Sequence, residues 1–133
     1  MIELLSLIGM LYLHIVDDYY LQGFLASAKQ KDWWNKNYPE ELYKNDYIIA
    51  LIEHAFSWTV AIMSIPAISL LYNYRDNNIG NIVVFSTFFI FNWIVHFIID
   101  NMKANEKSIN LITDQTIHIL QVFITWFLFI ILL

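Results

Sequence analysis

Apolar positions dominate this chain in four long runs, at about 4–16, 48–72, 79–99 and 109–133, with short polar stretches between them. A helix needs roughly 20 apolar residues to cross a hydrocarbon core, so the later runs predict spanning helices directly. The first reaches that length only if it begins at the N-terminus and admits Asp17 and Asp18 at its far end. The expected spans are therefore about 2–21, 46–72, 79–101 and 110–133, forming one transmembrane domain over 1–133. The sizeable polar region lies between the first two spans, "QGFLASAKQKDWWNKNYPEELYKND". Its Phe24, Leu25, Trp33 and Trp34, with lysines among them, predict one interfacial amphipathic helix over about 23–37, ended by Tyr38-Pro39. Pro66 predicts a kink in the second span. Tyr72, Tyr74 and Arg75 are expected interfacial anchors before the short turn "RDNNIG".

Composition agrees with this pattern. Of 133 residues 59% are hydrophobic and only 14% charged, against about 25% charged in soluble domains. The fold expected is all-α, an integral membrane bundle of four transmembrane helices plus the interfacial helix. The first run lacks a basic leader and an Ala-x-Ala cleavage pattern, and is read as a retained span rather than a signal peptide. Cysteine is absent, so a metal here must be held by nitrogen and oxygen donors. The net charge of −5 argues against a nucleic-acid partner. Lys29, Lys31, Lys36, Lys44, Lys103 and Lys107 lie after the first and third spans, and Arg75 alone lies on the opposite side. The positive-inside rule then makes those two lysine-bearing loops cytoplasmic and puts both termini outside a cell membrane.

Laid on that topology, the ionisable residues inside the spans form layers. His14 and Asp18 end the first span, His96 and Asp100 end the third, and Asp114 and His118 begin the fourth. A spacing of four puts each pair on one helical face, with the carboxylate about 6 Å nearer the cytoplasm. His54 enters the second span from the same side. Charged groups within spans cost about 2.5–3.5 kcal/mol at a helix centre and normally face the bundle interior and mark function. A divalent metal held by His14, Asp18, His54, His96, Asp100, Asp114 and His118 is the economical shared partner. Zinc comes first, with manganese, iron or magnesium as alternatives, at one or two ions per chain. The bland alternative is that His–Asp pairs merely join the helices.

His54 and Asp114 are the candidates for catalytic roles. Gln22, one turn beyond Asp18, and Gln115, beside Asp114, are expected to hold ligand carboxylates or touch substrate. Lys29 and Lys103 flank the expected mouth, where they suit a phosphate or other anion. Asp17, rotated about 100° from Asp18, is expected to face the interface, and Glu53 to stand similarly beside His54. Asn92 is read as a hydrogen-bonding partner for His96 or as interhelical glue. Trp58, Trp93 and Trp126 are read as packing or lipid-facing bulk. No Walker loop, GxGxxG, HExxH or Gly-x-Ser-x-Gly pattern occurs.

The motifs "HIVDDYYLQ" with "ASAK", His54, "HFIIDNMK" and "DQTIH" resemble, across nearly all of the chain, the bacterial and phage membrane family catalogued as domain of unknown function 3307. The resemblance implies that His14, Asp18, Gln22, Lys29, His54, His96, Asp100, Lys103, Asp114, Gln115 and His118 act as one set. The doubled Asp17-Asp18 departs from the pattern and leaves open which aspartate is the ligand. Three functions are compatible with the whole. The first is a metal-dependent hydrolase acting on an amphiphilic or phosphoester substrate, its site open to the cytoplasm and the lipid edge. The others are a non-enzymatic metal-stapled adaptor, and a divalent-metal or proton carrier. Partners expected are the bilayer, an amphiphilic substrate, and a second copy of the chain or another membrane protein.

Overall fold

The computed structural model describes residues 1–72 and 79–131. The anchors Tyr74 and Arg75, the side chain of Tyr72, most of the turn after it and the last two residues of the fourth expected span lie outside the described residues. Helix α1 (Ile2–Ile15) runs on through a π turn, Val16–Leu21. Two short helices follow, α2 (Leu25–Ala28) and α3 (Lys31–Asn37), and then α4 (Asp46–Tyr72). Helix α5 (Ile79–Asn101) continues through a π turn, Met102–Glu106, and α6 (Leu111–Trp126) through another, Phe127–Ile131. Among the described residues there is no strand, and four helical stretches are long and apolar enough to cross a membrane: Ile2–Leu21, Glu41–Leu71, Ile79–Glu106 and Leu111–Phe129.

Local chemistry places the breaks. Gly23 takes a left-handed φ of 50° at the end of the first span, a conformation open to glycine without a Cβ penalty. Lys107, at φ 55°, ends the third span in the same region, and the backbone N–H of Ser108 reaches back to the Met102 carbonyl at 3.0 Å. Asn110 caps α6 by accepting the Thr113 N–H at 2.9 Å. Helix α4 continues through Pro66.

The bundle forms as α4 packs on α1 and α5, and α6 on α1 and α5. Met10, Trp58, Ile62, Met63 and Val122 make its core, with Phe88, Phe89 and Trp126 packed around it. Leu4, Leu5 and Ile8 on α1, Ile82 and Val83 on α5, and Ile112 and Leu120 on α6 stay exposed. Side chains of this kind around the outside of a bundle are what lipid tails solvate.

The expected interfacial helix is divided. Gln30, extended at φ −100° and ψ 118°, separates α2 from α3, and both pack against α4. Three contacts tie this segment to the turn after α5. The Lys31 N–H donates to Asn105 Oδ1 at 2.7 Å, Asn105 Nδ2 donates to the Lys29 carbonyl at 3.1 Å, and Lys107 Nζ bonds Asp32 Oδ2 at 2.6 Å. That lysine holds the Asp32 carboxyl below the usual carboxylate range.

Candidate metal centre

Each helix brings its polar residues to one face by a spacing of four or three. Helix α4 supplies His54 and Trp58, α5 supplies Asn92, His96 and Asp100, and α6 supplies Asp114, His118 and Gln121. The π turn after α1 supplies Asp17 and Asp18. His54, His96, Asp100, Asp114 and His118 are each at most 1% exposed, and Asp18 is 7% exposed. Groups this polar stay inside only when they are paired or bind a cation.

Two sets of donors converge. In the first, Asp18, His54, His96 and Asp100 each offer one atom, all within 4.8 Å of one another. His54 Nε2 is 3.3 Å from Asp18 Oδ1, 3.3 Å from Asp100 Oδ2 and 3.2 Å from His96 Nε2. In the second set Asp100 returns with Asp114 and His118. His118 Nε2 is 3.3 Å from Asp100 Oδ1 and 3.4 Å from Asp114 Oδ1. The rings are stacked as well: His96 lies 4.0 Å from His118 and 4.3 Å from Trp58 between centroids.

Amide and ammonium groups surround these oxygens. Gln115 Nε2 donates to Asp18 Oδ2 at 2.6 Å and to Asp114 Oδ2 at 3.0 Å, while Gln22 Nε2 donates to Asp18 Oδ1 at 3.2 Å. Both glutamines therefore hold aspartates, as their spacing suggested. The lysines do not stand free at a mouth. Lys29, only 8% exposed, is drawn inward to Asp100 Oδ2 at 2.6 Å, and Lys103 Nζ bonds Asp114 Oδ2 at 2.7 Å. A buried carboxylate attracts the nearest ammonium more strongly than water competes for it, which is why these cations are spent on the site itself. Among the described residues here, the four carboxylates of Asp17, Asp18, Asp100 and Asp114 meet two ammonium groups, leaving two negative charges for protons or a dication to balance.

Two placements differ from the sequence expectation. His14 is buried but belongs to neither donor set. The Trp58 indole N–H donates to its Nδ1 at 2.8 Å, and an indole can only donate, so a neutral His14 carries its proton on Nε2 and has no lone pair for a metal. Asp17 is 2% exposed rather than interfacial. The wider π turn lessens the rotation between successive residues, so both aspartates face inward. Its Oδ1 accepts from Ser57 Oγ at 2.6 Å and its Oδ2 lies 3.9 Å from His54 Nδ1. Asn92 joins α5 to α6 by donating to Thr125 Oγ1 at 2.9 Å, the interhelical role expected of it, and makes no bond to His96. Glu53 is exposed, on the side of α4 away from the donors.

The residues that sequence reasoning passed over are Trp58, Ser57 and Gln121. Gln121 Oε1 lies 3.0 Å from His118 Nδ1. Trp58 follows His54, and Gln121 follows His118, by four and three residues; each shares a face with a histidine, and that was the available signal.

No family model, curated protein or solved structure matches this chain. A groove of about 640 Å³ opens beside the centre between α1 and α6, lined by apolar Leu11, Ile15, Ile119 and Phe123, with His14 and Gln115 at its polar end and Tyr19 and Tyr20 beside them. Its volume falls within the roughly 300–1,000 Å³ range of small-molecule sites.

Proposed function

We propose that this protein is a membrane-embedded, metal-dependent hydrolase whose ion is held by Asp18, His54, His96 and Asp100. One observation carries the reading. Nitrogen and oxygen donors about 2.0–2.2 Å from a tetrahedral zinc ion stand about 3.3–3.6 Å from each other. The distances of 3.2, 3.3 and 3.3 Å from His54 Nε2 to its three partners match that edge. Imidazole together with carboxylate favours zinc over magnesium, which prefers six oxygens. His54, a catalytic candidate on sequence, serves on this reading as a ligand, and Asp114, the other candidate, faces the site from α6.

The groove supports an amphiphilic substrate. An alkyl chain among Leu11, Ile15, Ile119 and Phe123 would bring its head to His14 and Gln115, where the His14 Nε2–H can donate to a phosphate oxygen. In hydrolysis of a phosphoester the oxygen of water bonds to phosphorus, the P–O bond to the alcohol breaks, and a proton of that water ends on the departing oxygen. A metal ion supplies the acidity that makes water a nucleophile near neutral pH. The lysines after the first and third spans support a reaction at the cytoplasmic face of a cell membrane. Membership of the family catalogued as domain of unknown function 3307 belongs to the same proposal.

A second reading, the metal-stapled adaptor, is favoured by the four protein donors of this set, since structural zinc sites are closed and catalytic ones keep a position for water. A carrier is less supported, because Met10, Trp58, Ile62, Met63 and Val122 pack the bundle interior next to the donors. The deciding experiment measures bound zinc by elemental analysis and hydrolysis of short-chain phosphatidic acid and alkyl phosphates by the detergent-purified protein, beside folded His96→Ala and Asp100→Asn variants. Zinc and hydrolysis lost together in both variants support the enzyme; zinc without hydrolysis supports the adaptor; no zinc after reconstitution removes both.

A further inference from the structure

We propose that the centre holds two ions, the second bound by Asp100, Asp114 and His118 and joined to the first through Asp100. The inference rests on the metal reading above and goes past it, because it assigns the position where chemistry occurs to the second ion.

A chain of hydrogen bonds lies behind His118. Asn92 Nδ2 donates to Thr125 Oγ1 at 2.9 Å, which leaves its Oδ1 to accept from Gln121 Nε2 at 3.3 Å; the Asn92 carbonyl accepts from the same amide at 3.2 Å. The Gln121 amide is thereby oriented with Oε1 towards His118 Nδ1, 3.0 Å away. A carbonyl oxygen only accepts, so the Nδ1 must carry the proton. In neutral imidazole the other nitrogen is then a bare lone pair. That lone pair points between Asp100 Oδ1 at 3.3 Å and Asp114 Oδ1 at 3.4 Å. Asp114 is wholly buried, and its Oδ1 has no hydrogen-bond partner. Three electron-rich atoms thus converge within 4.8 Å of one another, and the two distances from His118 Nε2 fit the edges of a tetrahedral ion. A histidine whose far nitrogen is fixed by an amide oxygen is also the usual way proteins aim an imidazole at a metal.

Asp100 supplies the link. Its Oδ2 faces His54 of the first set while its Oδ1 faces His118 of the second, the arrangement of a carboxylate bridging two ions about 3.5–4 Å apart. The two sets also differ in kind. The first offers four protein donors and the second three, so a tetrahedral second ion keeps one position for water or substrate, as catalytic zinc does. Charge follows the same logic. Two dications with Lys29 and Lys103, against the carboxylates of Asp17, Asp18, Asp100 and Asp114, leave a net charge of plus two. A phosphate-bearing head group suits that excess; a neutral ester does not.

The test uses the full chain in detergent, loaded with manganese(II), with ion content read by elemental analysis and coupling by electron paramagnetic resonance. Two ions per chain with an exchange-coupled multiline signal are expected. Asp114→Asn and His118→Gln should each retain one ion and show the six-line signal of an isolated site, whereas Asp100→Asn should lose the coupling in any ion it keeps. One uncoupled ion in the native protein, unchanged in Asp114→Asn and His118→Gln, overturns the second site and leaves the first standing. No ion at all overturns both. The native stoichiometry and signal decide the matter even if a variant fails to fold.

Discussion

On the metal reading, Asp17 bears on how His54 presents Nε2. Its Oδ2 has no hydrogen-bond partner among the described residues and lies 3.9 Å from His54 Nδ1, too long for a hydrogen bond, but its charge on that side of the ring favours a proton on Nδ1 and a lone pair on Nε2, among Asp18, Asp100 and His96. Ser57 fixes the carboxylate in turn through Oδ1. Removing such an orienting partner typically weakens metal affinity by about 10–100-fold without abolishing the site. Asp17→Asn should therefore bind zinc about 10–100-fold more weakly in competition with a chromophoric chelator, and Asp18→Asn should lose far more. Equal losses in the two would mean that Asp17 is itself a ligand; no loss in Asp17→Asn would mean that the pairing has no bearing on the metal. Of the two aspartates, Asp18 is the one that stands in a donor set able to hold an ion.

Among the elements, the divided segment of α2 and α3 is a clamp as well as a surface feature, because it delivers Lys29 to Asp100 from 71 positions away. Breaking a buried ion pair from one side costs about 3–5 kcal/mol, since the remaining charge is left uncompensated. Lys29→Met should lower the thermal stability of the metal-free protein on that scale. Bound zinc supplies positive charge to the same carboxylate, so the loss should shrink when the metal is present. Melts in detergent with and without zinc check this, and an equal loss under both conditions would show that Lys29 and the ion do not share Asp100. The four long apolar helices were legible in the sequence because twenty-residue apolar runs have few alternatives. So were the layers of histidine and aspartate, which follow from a spacing of four. What was not legible arises from packing between helices. The π turn that brings Asp17 inward leaves no mark in hydrophobic pattern. Gln30 breaks the segment one residue after Lys29, whose ammonium bonds Asp100 of another helix, and His14 is held by Trp58 of another helix, outside both donor sets.

For the whole molecule, metal and fold should be coupled. An ion that binds only the folded bundle stabilises it by about 4 kcal/mol when free metal is near a thousand times the dissociation constant. Stripping with a chelator should therefore lower the melting temperature, and adding zinc should restore it in the native protein but not in His96→Ala. Orientation is the other property of the molecule as a whole, and it decides which compartment supplies water and substrate. The lysines after α1 and α5 argue for the cytoplasm. The chain has no cysteine, so each introduced cysteine is a unique reporter. Glu3→Cys, on an exposed residue at the start of α1, should react with a membrane-impermeant maleimide on intact cells. Ala104→Cys, in the turn after α5, should react only after lysis. The opposite pattern would turn the centre outward and make its substrate extracytoplasmic, with the metal chemistry unchanged.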